Sequence, residues 1–283
     1  MPGLQELITG LEIGLIYGVL AIGIHLTFRV INFPDLTCEG SFVFGSTVSA
    51  VLIKAGCDPW TSLAAATAAG GLAGFLTGAL HVWLKIDDLL SGLVVAFMLY
   101  SVNLRIMGMN PNIPLVDQAT IFCGGGRPLF QISAVVLSVT ALFVYLLNTD
   151  FGLGLRSIGQ NKHFAAACGV NVSTMTIVGL TAANGLVGLS GAIYANHQGF
   201  CDVSQGIGCL VMGLASVIIG EKILKFSNVS WSIVACVVGS VVYRLFIAVA
   251  IHSDTFYLKT QDLNLITGLM IIALMARSKK CFG

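Results

Sequence analysis

Apolar residues run through this chain in long blocks separated by short polar breaks. Blocks bounded by Pro, Gly, Asn or charge fall at about 7–29, 40–54, 60–84, 88–108, 129–147, 173–195, 207–220, 229–250 and 262–276. A helix rising 1.5 Å per residue needs roughly 20 apolar residues to cross a hydrocarbon layer about 30 Å thick, so these blocks predict membrane-crossing helices. The second and seventh blocks are short for that task. The pattern predicts an all-α integral membrane protein of about nine crossings, with eight to ten as the range, forming one domain over 1–283.

Composition narrows the class. The chain is 56% hydrophobic and 10% charged, with a mean hydropathy of +0.92, whereas soluble domains carry roughly 25% charged residues. A water-soluble globule and a separate soluble catalytic module are both excluded. The opening MPGLQELITGLE has no basic leader and no small-residue cleavage site after the first apolar run, so a cleaved signal peptide is not expected. The eight cysteines lie scattered, without a CxxC or a Cys/His cluster, and predict no metal or redox site. They read as small apolar residues, with a Cys123–Cys201 bridge between outer loops as the open alternative. No cofactor and no nucleic-acid partner is expected.

Basic residues set the orientation. With the loop at 149–172 in the cytoplasm, Arg29, Lys85, Arg156, Lys162, Lys222, Lys225, Arg277, Lys279 and Lys280 fall inside. Lys54, Arg105, Arg127 and Lys259 fall near the outer face, and Arg244 lies within a span. This places the N-terminus outside and the C-terminus inside. Glycines at packing spacing (Gly14/Gly18, Gly70/Gly74/Gly78, and 185, 188, 191) predict close helix contacts in lipid. Two short segments, Asp35-Leu36-Thr37 and Asp202-Val203-Ser204, each open a short Gly-containing apolar run, one inside and one outside. That pairing matches transporters built from inverted repeats with short discontinuous helices.

The loop at 148–174 is the longest polar interruption. Gly152 and Gly154 read as breaks in the preceding span, and Asn161 as the cap of a short helix from Lys162 to Cys168. Gly169 and Asn171 read as its stop signals. A compact capped helix between two spans is suited to a soluble partner. Elsewhere, Gly188-Leu189-Ser190-Gly191 resembles the GxSG of rhomboid proteases. Neither His197 nor His252 is placed as the base that Ser190 would need, so no catalytic residue is assigned. No Walker A motif occurs, which puts any ATP hydrolysis on another polypeptide. Acidic residues fall almost entirely at span ends, which weighs against an ion-gradient-driven carrier, the competing reading. Asn32, Thr37, Asn103, Asn184 and Ser190 are candidate residues of a translocation pathway, with hydrogen bonding between helices as the alternative role; Asn196 and His25 read as packing residues.

Two stretches carry a family likeness. GLIYGVLAIGIHLTFRVINFPDLTCEGSFVFGS resembles the start of permease subunits of ABC importers of the branched-chain amino-acid/ribose permease family, through Gly14, Tyr17, Gly18, Ile31, Asn32, Phe33, Glu39 and Gly40. The segment at 152–193 resembles that family's cytoplasmic loop and following span, through Leu155-Arg156, Gln160-Asn161, Ala165-Ala166 and Gly169-Val170-Asn171. Ile219-Gly220-Glu221-Lys222 departs from the family's double glycine and marks a divergent branch. The resemblance implies a permease subunit in the bacterial inner membrane, working as a homodimer or paired permease. Its implied partners are a cytoplasmic ATP-binding subunit and an extracytoplasmic solute-binding protein. The solute would be an amino acid or a related small compound. It also implies that Arg156, Gln160, Asn161, Lys162, His163, Ala166 and Gly169 form a coupling helix that contacts the ATPase.

Overall fold

A computed structural model describes residues 4–116, 118–123, 128–224, 229–251 and 268. The helices are α1 (Leu4–His25), α2 (Thr37–Lys54), α3 (Pro59–Leu84), α4 (Asp88–Ile106), α5 (Pro128–Leu147), α6 (Asp150–Gln160), α7 (Lys162–Ala167), α8 (Val172–Gln198), α9 (Cys209–Ile223) and α10 (Val229–Ile251). A π-helical turn (Leu26–Ile31) extends α1, and a 3₁₀ turn (Val203–Gly206) precedes α9. Two short strands, β1 (Asn112–Pro114) and β2 (Phe200–Asp202), pair antiparallel with Ile113 opposite Cys201.

Among the described residues, seven helices are long and apolar enough to cross a membrane: α1 with its turn, α3, α4, α5, α8, α9 with its lead, and α10. The expected ninth block at 262–276 lies, apart from Gly268, outside the described residues, as do His252, Lys259, Arg277, Lys279 and Lys280. The second block differs for a physical reason. α2 reads TCEGSFVFGSTVSAVLIK, and its hydroxyls and glycines lower its hydropathy. Its Thr37, Ser41, Ser46, Thr47 and Ser49 are fully buried against protein, so α2 has no need of a lipid-compatible surface on that side.

The 27-residue α8 is the axis of the bundle. Helices α1 and α3 run antiparallel to it and α2 parallel, all three at backbone contact. A Cβ on Gly45 would sit 2.1 Å from the Gly188 carbonyl oxygen, one on Gly70 2.3 Å from that of Asn184, and one on Gly191 2.0 Å from that of Phe42. These distances leave no room for any side chain, which is why small residues recur at the spacing noted in the sequence. Serines then bond across the seams: the Ser190 hydroxyl donates to the Ile16 carbonyl at 2.8 Å, and that of Ser240 to the Gly14 carbonyl at 2.7 Å. Arg244 resolves in the same way. Its guanidinium lies 4.3 Å over the Tyr17 ring, a cation–π contact inside the bundle.

Cys201 is the buried central residue of β2 and Cys123 is exposed on the 3₁₀ turn Ile121–Cys123, and both thiols are free. The bridge left open by the sequence does not form.

Candidate functional site

Two helices begin inside the bundle. α2 runs along the second half of α8: Ser41 Oγ donates to Asn184 Oδ1 at 2.7 Å, and Asn196 Nδ2 donates to Ser49 Oγ at 3.1 Å. Asn184 is midway along α8, so α2 starts at mid-bundle depth. α9 runs the other way, parallel to α1, with Gly213 against Leu20 and Ile24 and Glu221 ion-paired to Arg29. The two N-termini meet. Gly208 N–H donates to Glu39 Oε1 at 3.0 Å, and a Cβ on Gly206 would strike the Glu39 carbonyl oxygen. The lead-in segments are equivalent: Asp35 Oδ1 accepts from Thr37 N–H, and Asp202 Oδ1 from Ser204 N–H, each at 2.8 Å. The paired Asp-hydroxyl segments seen in the sequence therefore open two helices of opposite direction that meet head to head.

Asp35 is completely buried at this junction. Its Oδ2 accepts from Asn184 Nδ2 at 2.6 Å, so one carboxylate both holds the first N–H of α2 and ties that helix to α8. Thr37 Oγ1 lies 2.6 Å from Thr77 Oγ1, joining α3 to the same point. The sequence reading that acidic residues sit at span ends is corrected here. Asp35 and the half-buried Glu39 lie within the bundle, because α2 begins there instead of at the membrane surface. Glu12 in α1 is also buried and pairs with His197 at 2.9 Å. At the end of β2, burial pushes the Asp202 carboxyl upward, but hydrogen bonds from Ser204 and Asn112 outweigh it and hold it below the usual carboxylate range.

Beside the junction lies a cavity of about 440 Å³ between α2, α4 and the start of α9, lined by Glu39, Val43, Leu93, Phe97, Tyr100 and Asn103 among others. Of the candidate pathway residues, Asn103 lines this cavity, and Thr37 and Asn184 build the junction next to it. Asn32 stands exposed at the end of α1 in a left-handed conformation (φ 58°), where it turns the chain toward Asp35. Ser190 is engaged with α1 and does not reach the cavity. Glu39 was not singled out as a pathway residue from the sequence. The signal for it was its position three residues into a short helix opened by Asp35.

The polar loop holds two helices. α6 is amphipathic, burying Gly152, Gly154, Leu155 and Ile158. Gly152 and Gly154 do not break a span; Gly152 instead lets α6 cross the Leu147 backbone, which a Cβ would meet at 2.3 Å. Gly159 packs on the Val30 carbonyl in the π-helical turn, and Leu155 faces Gly179 of α8. Arg156 is half-buried, with Nε donating to the Gly152 carbonyl at 3.3 Å, and Gln160 is exposed.

α7 follows as expected. Asn161 Oδ1 accepts from His163 N–H at 3.0 Å and Phe164 N–H at 3.1 Å, and Gly169 ends the turn at φ 85°. Asn171 is not a stop signal; its side chain caps the next helix by accepting from Thr174 N–H. Lys162, His163, Phe164 and Ala166 are exposed, and only Ala165 of α7 is buried. Lys162 Nζ approaches Asp88 Oδ2 at 4.0 Å, which ties α7 to the start of α4. α6 and α7 thus rest on the ends of α1, α4, α5 and α8 at one face of the bundle.

Comparison with known proteins places this architecture. A family described as branched-chain amino acid transport system / permease component matches residues 7–275. The tyrosine transport system permease protein of Clostridioides difficile is 38% identical, over 93% of this chain and 88% of that one. A nucleoside ABC transporter permease protein of Lactococcus lactis is 28% identical over 83% of this chain and 71% of its own length. Among solved structures, an inward-facing ABC transporter of the metal-chelate type aligns at a TM-score of 0.50 and 16% identity, covering 97% of this chain and 86% of that one, which supports the fold alone.

Proposed function

The chain belongs to the branched-chain amino-acid transport system permease family, and from that premise we propose that it is the membrane-spanning subunit of an ATP-driven importer of an amino acid, an aromatic one foremost. ABC permeases of this family work with an ATP-binding subunit and a solute-binding protein. The observation that carries the reading is the α6–α7 pair. α7 offers exposed Lys162, His163, Phe164 and Ala166 to a partner, while α6 beneath it grips the π-helical end of α1 through Gly159. Arg156, Asn161 and Gly169 shape and hold that surface, and Gln160 is exposed beside it. The proposed route of coupling runs from an ATPase groove to α7, through α6 to residues 30–32, and into the Asp35 junction. The Arg29–Glu221 ion pair carries the same motion to α9. Two copies, or a paired permease, would enclose the pathway between them, with Asn32, Thr37, Asn103 and Asn184 along it; Ser190 stays in the packing seam. An amino-acid solute is supported by the likeness to a tyrosine permease.

The buried carboxylates give the gradient-driven alternative its one specific support. Asp35 does not serve that role well, since both of its oxygens already hold Thr37 and Asn184. An ion relay needs a group that can exchange partners.

Thiol labelling tests the proposed orientation and docking together. Cys168, exposed directly after α7, is expected to react with an impermeant maleimide in inverted vesicles, in a chain with Cys281→Ser. It is expected to be shielded when the ATPase subunit is added. Exposed Cys57 and Cys123 should label only from the opposite side, Cys123 the faster because hydrogen bonds from Thr120 hold its thiol below the ordinary range. Labelling of Cys168 from outside, or without protection by the ATPase, would reject the reading.

A further inference from the structure

The cavity beside the helix junction has a chemical character of its own. Its lining is apolar except for Glu39, Asn103 and the Tyr100 hydroxyl, and it contains no lysine or arginine. Glu39 accepts from the backbone N–H groups of Gly208 and Leu210 at the first turn of α9. A carboxylate offers about four acceptor positions, so these two bonds leave capacity for a further donor. Among the described residues it has no cationic partner within ion-pair distance.

Asn103 supplies the second observation. Its side chain is 1% exposed and its Oδ1 has no hydrogen-bond partner. A buried amide oxygen without a donor is costly and marks a place where a ligand or water completes the bond. Glu39, with acceptor capacity to spare, and Asn103, with its unpartnered oxygen, both line the same chamber, and Phe97 and Tyr100, 70% and 57% exposed, wall its open side. The volume of about 440 Å³ falls within the range of small-molecule sites.

We propose that this chamber binds the primary ammonium group of the transported solute, with Glu39 as its charge partner and Asn103 Oδ1 as a second acceptor. The aromatic rings of Phe97 and Tyr100 cover the solute's apolar body. The ligand class is a small organic ammonium with an apolar or aromatic body, of which an α-amino acid is the natural example. This rests on the importer reading above and adds to it a site of contact within the permease itself. Anionic solutes without an amine are disfavoured, because they would bring a second negative charge beside Glu39 without a cation to offset it.

The test uses Glu39→Gln, which keeps an acceptor for Gly208 and Leu210 and removes only the charge. The full chain in nanodiscs is expected to bind radiolabelled L-tyrosine. Tyramine should compete, and 3-(4-hydroxyphenyl)propionate, which lacks the amine, should not. Glu39→Gln should weaken binding at least tenfold and erase the preference for tyramine over the propionate. In proteoliposomes holding the ATPase and one saturated solute-binding protein, the same change should lower L-tyrosine uptake at least tenfold. If Glu39→Gln does not yield a monodisperse protein, Asn103→Leu carries the test, since its side-chain oxygen bonds nothing in the unliganded fold; several-fold weaker binding is expected. Equal binding and uptake by wild type and either variant overturns the proposal, as does competition by the propionate equal to that of tyramine. Loss of ATP dependence in the wild-type control would instead reject the importer reading, and the nanodisc measurement still decides the ammonium site.

Discussion

Phe164→Asp is expected to abolish ATP-driven uptake, by on the order of 100-fold, without impairing insertion of the protein. Phe164 is 64% exposed on a six-residue helix whose start and end are fixed by Asn161 and Gly169. An aromatic side chain held out from a rigid, capped turn is the kind of anchor that fills a pocket on a partner, and such anchors carry most of the binding energy of an interface. Aspartate removes the apolar contact and forces a desolvated charge into the partner's groove. The bundle itself does not depend on this side chain, because only Ala165 of α7 is buried. Phe164→Leu should restore most of the uptake. Co-purification of the ATPase subunit is the direct readout; undiminished capture by the aspartate variant would remove the docking role from α7.

The second large effect is expected at Asp35. Replacing it by alanine leaves the Thr37 N–H, the first of α2, unsatisfied in a fully buried place. It also takes from Asn184 its link to the junction. Loss of a buried, charge-assisted pair of bonds of this type costs about 3 kcal/mol. Asp35→Asn keeps an oxygen for the Thr37 N–H and should cost nearer 1 kcal/mol, on the scale of a single neutral bond. The thermal midpoint of unfolding in detergent should fall in the order wild type, Asn, Ala. Uptake by the alanine variant should drop more than tenfold, because the head-to-head contact with α9 depends on where α2 begins. A midpoint for the alanine variant equal to wild type would show that the junction is not held by this carboxylate.

The α7 helix was readable because its signals are local. An asparagine, six helix-forming residues and a glycine suffice to define a capped turn, and no distant contact alters it. The glycine spacing was readable for the same reason, since close helix packing in lipid admits few residue types. Gly152 and Gly154 misled because one residue type serves two purposes: a helix breaker in water is also what permits α6 to lie on the Leu147 backbone. The depth of Asp35 and Glu39 was not readable. A polar segment before an apolar run looks like a loop at the membrane surface, and only its partners place it inside. Those partners, Asn184 and Gly208, lie 149 and 169 residues further along the chain. Glu12 was hidden in the same way, its burial justified by His197 at the far end of α8.

The central claim is that ATP bound by another polypeptide drives this chain. The decisive measurement is L-tyrosine uptake into proteoliposomes containing the chain, its ATPase subunit and the loaded solute-binding protein, with no ion gradient imposed. The account predicts uptake that requires ATP on the ATPase side and stops when α7 is disrupted. Uptake by the chain alone, driven by a sodium or proton gradient and indifferent to ATP, would contradict it.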